Sequence, residues 1–150
     1  MQLQSTTNFA TTIEWIVPVM IAMVVILLAS LMREPHRRNF MAILVAGAGS
    51  AYLSGGGFGK WELAFCTVMA ICSFKGLESY RFIGIAWLLH TGWDVLHHLY
   101  GNPVLPFDST SSLGCAICDP VLAAWCFAGA PSLFQLARGK PVAGLSSVHQ

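Results

Sequence analysis

Charge is what this sequence has least of. Eight basic and seven acidic residues among 150 make 10%, where a soluble domain carries about 25%. So few charges cannot cover the surface of an ordinary soluble globule. The signs nearly cancel, leaving a formal net charge of +1, and a nucleic-acid binder needs a basic surface instead. Because 55% of the residues are hydrophobic, a disordered chain is excluded as well. Internal repeats, low-complexity linkers and the alternating ten-residue pattern of a membrane β-barrel are also missing. The first twelve residues hold no Lys or Arg. A cleaved signal peptide, which needs a basic stretch there, is therefore the weaker reading of the first apolar run.

Long apolar stretches are abundant. Five of them approach the ~20 residues a helix needs to cross a bilayer: about 13–32, 40–59, 61–77, 80–100 and 120–137. The expected fold is all-α, a five-helix transmembrane bundle forming one integral-membrane domain over 1–150, with a long loop at 101–119. Arg33, Arg37, Arg38, Lys75, Arg81, Arg138 and Lys140 fall on one side of such a bundle, and of the eight basic residues only Lys60 falls on the other. The positive-inside rule then places the N-terminus outside and the C-terminus in the cytoplasm of a bacterial inner membrane. Trp15, Trp61, Tyr80 and Tyr100 sit at span ends, as an aromatic belt does.

Span two is rich in small residues, and Ala46, Gly47, Ser50 and Ala51 are expected to make it a packing centre. The run Ser54-Gly55-Gly56-Gly57-Phe58-Gly59 should unwind its outer end. It is no phosphate loop, because Lys60 is followed by Trp61 rather than Ser or Thr.

Chemistry concentrates in span four. At ~100° per residue, with His90 at zero, Asp94 lies near +40°, His97 near −20° and His98 near +80°. Four ionisable groups thus share one face of a helix that is apolar opposite. Such groups in a membrane face a bundle interior or wet cavity and mark sites; the plainer alternative is interhelical hydrogen bonding by buried histidines. Four ligands spread over about 12 Å of helix cannot all bind one metal, so the chelating pairs are His90 with Asp94, Asp94 with His98, or Asp94 with His97. The stretch Gly114-Cys115-Ala116-Ile117-Cys118-Asp119-Pro120 supplies two thiols and a carboxylate at the same level. Thiolate and imidazole together suit zinc, copper or iron. The candidate metal ligands are therefore His90, Asp94, His97, His98, Cys115, Cys118 and Asp119. Each has a structural alternative: Asp119 before Pro120 also reads as a helix N-cap, and Cys115 with Cys118 as a disulfide. Glu62, in the first turn of span three, reads as a surface acid favoured by the helix dipole. Cys66, Cys72 and Cys126 read as small apolar fillers.

The chain resembles an uncharacterised family of small bacterial integral-membrane proteins, a domain of unknown function. The likeness runs from Arg33-Glu34-Pro35 to Pro131-Ser132. It is best over Trp87 to Tyr100, Gly101-Asn102-Pro103 and Ser111-Ser112-Leu113-Gly114-Cys115-Ala116-Ile117-Cys118-Asp119-Pro120. It implies a membrane location and no activity. Asp94-Val95-Leu96-His97-His98 is only superficially like the His-x-x-His-His boxes of membrane di-iron hydroxylases. Asp stands where the first His would be, and five histidines in the chain are too few.

Three function classes remain. A metal-binding membrane protein uses the His/Asp face and the Cys pair together, with a metal polarising a substrate or activating water. A thiol–disulfide oxidoreductase, resembling quinone-coupled membrane enzymes, would use Cys115 and Cys118 activated at a helix start. A transporter or structural subunit would use His90 and Asp94 as a proton or ion relay, and five short spans then suggest a homo-oligomer. The expected partner in every case is the lipid bilayer, not nucleic acid.

Overall fold

A computed structural model describes the backbone of residues 2–138 and the side chains of 13–138. The fold is all-α, as the sequence predicts. The helices are α1 (Gln2–Leu31), α2 (His36–Ser50), α3 (Lys60–Gly76), α4 (Tyr80–Tyr100), α5 (Ser111–Phe127) and α6 (Leu133–Ala137), with a 3₁₀ turn at Ala51–Ser54. Among the described residues there is no strand, only an isolated bridge between Leu105 and Asp108.

Helices α1 and α2 begin ahead of the expected spans, at Gln2 and His36, and three further boundaries differ from the sequence reading. The second helix ends at Ser50, because the glycine-rich run leaves the helix in a 3₁₀ turn and then adopts positive φ at Gly55, Gly57 and Gly59. The long loop shrinks to residues 101–110, since α5 starts at Ser111 rather than Pro120. Asp108 supplies the start signal: its Oδ1 accepts from the Thr110 N–H at 2.9 Å and from the Thr110 hydroxyl at 2.8 Å. Pro120 lies inside α5, where its missing N–H removes only one rung of the ladder. Asp119 is therefore no N-cap, and the Cys115–Cys118 stretch is helix rather than loop. The third difference is at the other end of α5, which stops at Phe127. A turn through Gly129 (φ 81°) and Ala130 (φ 46°) leads to the short α6.

The core is built where α5 packs on α1 and α4, and α2 on α3 and α4. Ala22, Ile26 and Ala29 of α1 meet Leu122, Ala123 and Cys126 of α5. Met41, Ala42 and Val45 of α2 face Met69 of α3 and Ile83 of α4. Glycines permit the closest approaches. A Cβ on Gly49 would come within 2.5 Å of Met69 Cβ, and one on Gly84 within 2.9 Å of Phe127. Helix α2 does pack against three others, α1, α3 and α4, but not through the residues expected. Gly47 is exposed with open space around it, and Gly49 makes the contact. The two positions are about 200° apart around the helix, so a small-residue stripe alone did not say which side turns inward.

Among the described residues one helical segment, Ile13–Leu31, is long and apolar enough by itself to cross a membrane. Helices α2, α3 and α5, of 15, 17 and 17 residues, reach about 22–26 Å at 1.5 Å per residue, somewhat less than a ~30 Å hydrocarbon core.

Candidate functional site

The inward face of α4 carries His90, Asp94 and His97, all of them buried. His90 is the hub. Its Nε2 lies 2.9 Å from the carbonyl oxygen of Ala48. A carbonyl can only accept, so Nε2 carries a hydrogen and Nδ1 is the atom free to vary. Nδ1 lies 2.7 Å from Asp119 Oδ2 and 2.8 Å from Asp94 Oδ2. An imidazole nitrogen has one in-plane direction, and here it aims at Asp119. Asp94 Oδ2 is equally near but off that axis, and it is left without a hydrogen-bond partner although Asp94 is 0% exposed. One nitrogen and two carboxylate oxygens thus meet within 4.8 Å of one another.

The other Asp94 oxygen is held firmly. Tyr52, in the 3₁₀ turn, donates its hydroxyl hydrogen to Asp94 Oδ1 at 2.7 Å. Having one hydrogen to give, it must accept from Ser112, whose Oγ lies 2.8 Å away. Ser112 Oγ in turn accepts from the Val104 N–H at 3.1 Å. A directed chain thus runs from the loop backbone through Ser112 and Tyr52 to Asp94.

A second buried pair lies two turns further along α4. His97 Nδ1 donates to the Trp93 carbonyl at 2.9 Å, and Nε2 lies 2.8 Å from Glu62 Oε1. Glu62 also accepts from the Trp93 indole N–H at 3.1 Å and from the Phe58 N–H at 3.2 Å. Tyr52 stacks on the His97 ring with 3.7 Å between centroids, which places the two clusters side by side. The glycine run closes over the pair. A Cβ on Gly56 would collide with Glu62 Oε1 and come within 2.7 Å of His97 Nε2. Asn102 ties the run down, its N–H donating to Gly56 O at 2.9 Å and its amide to Gly55 O at 2.7 Å.

Of the residues singled out by sequence, His90, Asp94 and Asp119 come together. His97 faces inward on Glu62 instead, and His98 is exposed. Cys115 and Cys118 are free thiols, half-buried on α5; they line a cavity against α1 and stay outside the ligand cluster. Asp119 reaches His90 because α5 is helical there, which turns it about 40° from Cys115 and about 100° from Cys118. Glu62 is buried rather than a surface acid, being 6% exposed. Tyr52 and Ser112 carried no local signal, and their roles arise only from packing between helices.

A family of unknown function (DUF6010) matches residues 13–132, and the chain belongs to it. No curated protein and no solved structure matches the chain.

Proposed function

We propose that the chain is a multi-pass membrane protein that holds a divalent transition metal on His90 Nδ1, Asp94 Oδ2 and Asp119 Oδ2. The observation that carries this reading is the buried Asp94 Oδ2, unpartnered beside a second carboxylate. Two aspartates against one histidine leave an excess negative charge even when His90 is protonated. Burying an unpaired charge costs several kcal/mol, and a cation removes that cost. The outer groups fit the same role: a metal-binding imidazole typically donates its other N–H to a carbonyl, as His90 does to Ala48, and bound carboxylates are themselves hydrogen-bonded, as Asp94 is by Tyr52. One imidazole and two carboxylates suit zinc, manganese or iron(II) better than copper(I), which prefers sulfur. Three protein ligands leave a fourth position for water or substrate, the number found in catalytic zinc sites.

The membrane reading is supported by Ile13–Leu31 and by apolar side chains that point away from the bundle, including Ile43 at 70%, Leu63 at 64% and Phe74 at 75% exposure. In this reading all five longer helices cross, the basic residues other than Lys60 face the cytoplasm, and the site lies in the outer half. Retention of a proton in place of the metal is the second reading. It is favoured by the 2.7 and 2.8 Å separations, since tetrahedral zinc would hold ligand atoms about 3.3 Å apart. The thiol–disulfide reading loses its premise, because Cys115 and Cys118 lie beyond the first turn of α5, away from its N-terminal dipole.

The test is metal counting on detergent-purified protein after incubation with zinc, manganese or iron(II) and removal of free ion. The expected result is one ion per chain in the wild type and almost none in Asp119→Asn. Equal content in both proteins, or none in the wild type, overturns the metal reading, and the second outcome favours the proton.

A further inference from the structure

A separate cavity of about 400 Å³ opens between α1, α5 and the loop before α5. The register of its walls is fixed at two levels. A Cβ on Gly114 would lie 3.7 Å from Pro18 Cγ, and further along the Ser132 hydroxyl donates to Ser30 O at 2.8 Å. The two helices therefore run in the same direction. Glu14, one turn before Pro18, is then level with Asp108 and Thr110, and Ile21 is level with Cys118. All the acid in the lining sits at one end, on Glu14 and Asp108, with the apolar wall of Val17, Pro18 and Ile21 below it. Among the described residues no Lys, Arg or His lines the cavity, and neither acid is ion-paired.

We propose that this cavity binds an amphiphile with a cationic head, its charge between Glu14 and Asp108 and its alkyl chain running down α1 to Cys118. Polarity and length agree: from Glu14 to Ile21 the wall extends about 10 Å, enough for a medium alkyl chain. An anionic head would place its charge against two carboxylates, and a neutral one would gain nothing from them. The proposal is independent of the metal, since none of the three proposed ligands lines the cavity.

Alkylation of Cys118 by N-ethylmaleimide reports occupancy, with Cys66 on α3, outside the cavity, as an internal control read by peptide mass spectrometry. The protein is held in phosphatidylcholine nanodiscs, and the probes are decyltrimethylammonium, decyl sulfate and decyl maltoside at equal concentration. Only the cationic probe should slow Cys118, by about fivefold, the worth of one partly exposed ion pair, while Cys66 stays unchanged. Glu14→Lys, at an exposed position, should transfer the protection to decyl sulfate. Equal protection by all three probes, no protection by any, or an unchanged preference in Glu14→Lys overturns the proposal.

Discussion

His90 and His97 lie two turns apart on one helix face, both buried, and each has its remaining ring nitrogen tied to a backbone carbonyl. They differ by one carboxylate. His97 meets Glu62 alone, one imidazole to one carboxylate, and the glutamate's oxygens are filled by His97, Trp93 and Phe58. His90 meets Asp94 and Asp119, and one oxygen is left over. The first arrangement is complete in itself and reads as a structural clasp holding the glycine run to α4. The second is short of one positive charge. Two histidines in similar burial thus differ in the number of carboxylates around them, and the metal proposal rests on that difference.

The comparison breaks most readily at the clasp. Glu62→Ala removes one partner of a buried pair and should cost about 3–5 kcal/mol, measured by chemical unfolding in detergent. Gly56→Ala should cost about 1–3 kcal/mol by forcing a Cβ into the same carboxylate; a stability equal to wild type would show that the clasp does not hold the glycine run. Tyr52→Phe strips Asp94 Oδ1 of its donor and should cost about 1–3 kcal/mol. Asp119→Asn sharpens the contrast. With a chelator present it removes an excess buried charge, so the melting temperature should stay level or rise. With zinc at saturating concentration the wild type should gain stability and the variant should not. A variant that melts well below wild type in chelator would make Asp119 a structural partner like Glu62. Smallest of all, Cys118→Ser should change stability by no more than about 0.5 kcal/mol and leave metal content unchanged, which metal counting checks.

The inward face of α4 was legible in the sequence because the 3.6-residue period places His90, Asp94 and His97 on one side whatever packs against them. Partners on other helices were not. Glu62 and Tyr52 stand 35 and 42 residues from the α4 groups they bind, and no local spacing connects them. The sequence does not distinguish His97 from His98 either, as both fall within a quarter turn of Asp94's side. Packing of Tyr52 and Phe58 on the His97 ring decides between them. The cysteine stretch was misread because Asp119-Pro120 matches a helix start, while Asp108 with Thr110 supplied the real one about three turns earlier. Correcting that boundary is what separates Asp119 from Cys118. Adjacent in sequence and in a loop, both could reach one metal; on a helix they turn to different sides, Asp119 to His90 and Cys118 to the cavity.

That separation makes the central claim measurable without knowing any activity. X-ray absorption at the zinc edge, on protein loaded with one equivalent of zinc, reads the ligand atoms directly. Coordination by His90, Asp94 and Asp119 should give a shell of nitrogen and oxygen alone at about 2.0–2.1 Å, with imidazole scattering from one ring. A sulfur shell at about 2.3 Å would place zinc on Cys115 or Cys118, and that result would contradict a metal held by the imidazole and the two aspartates.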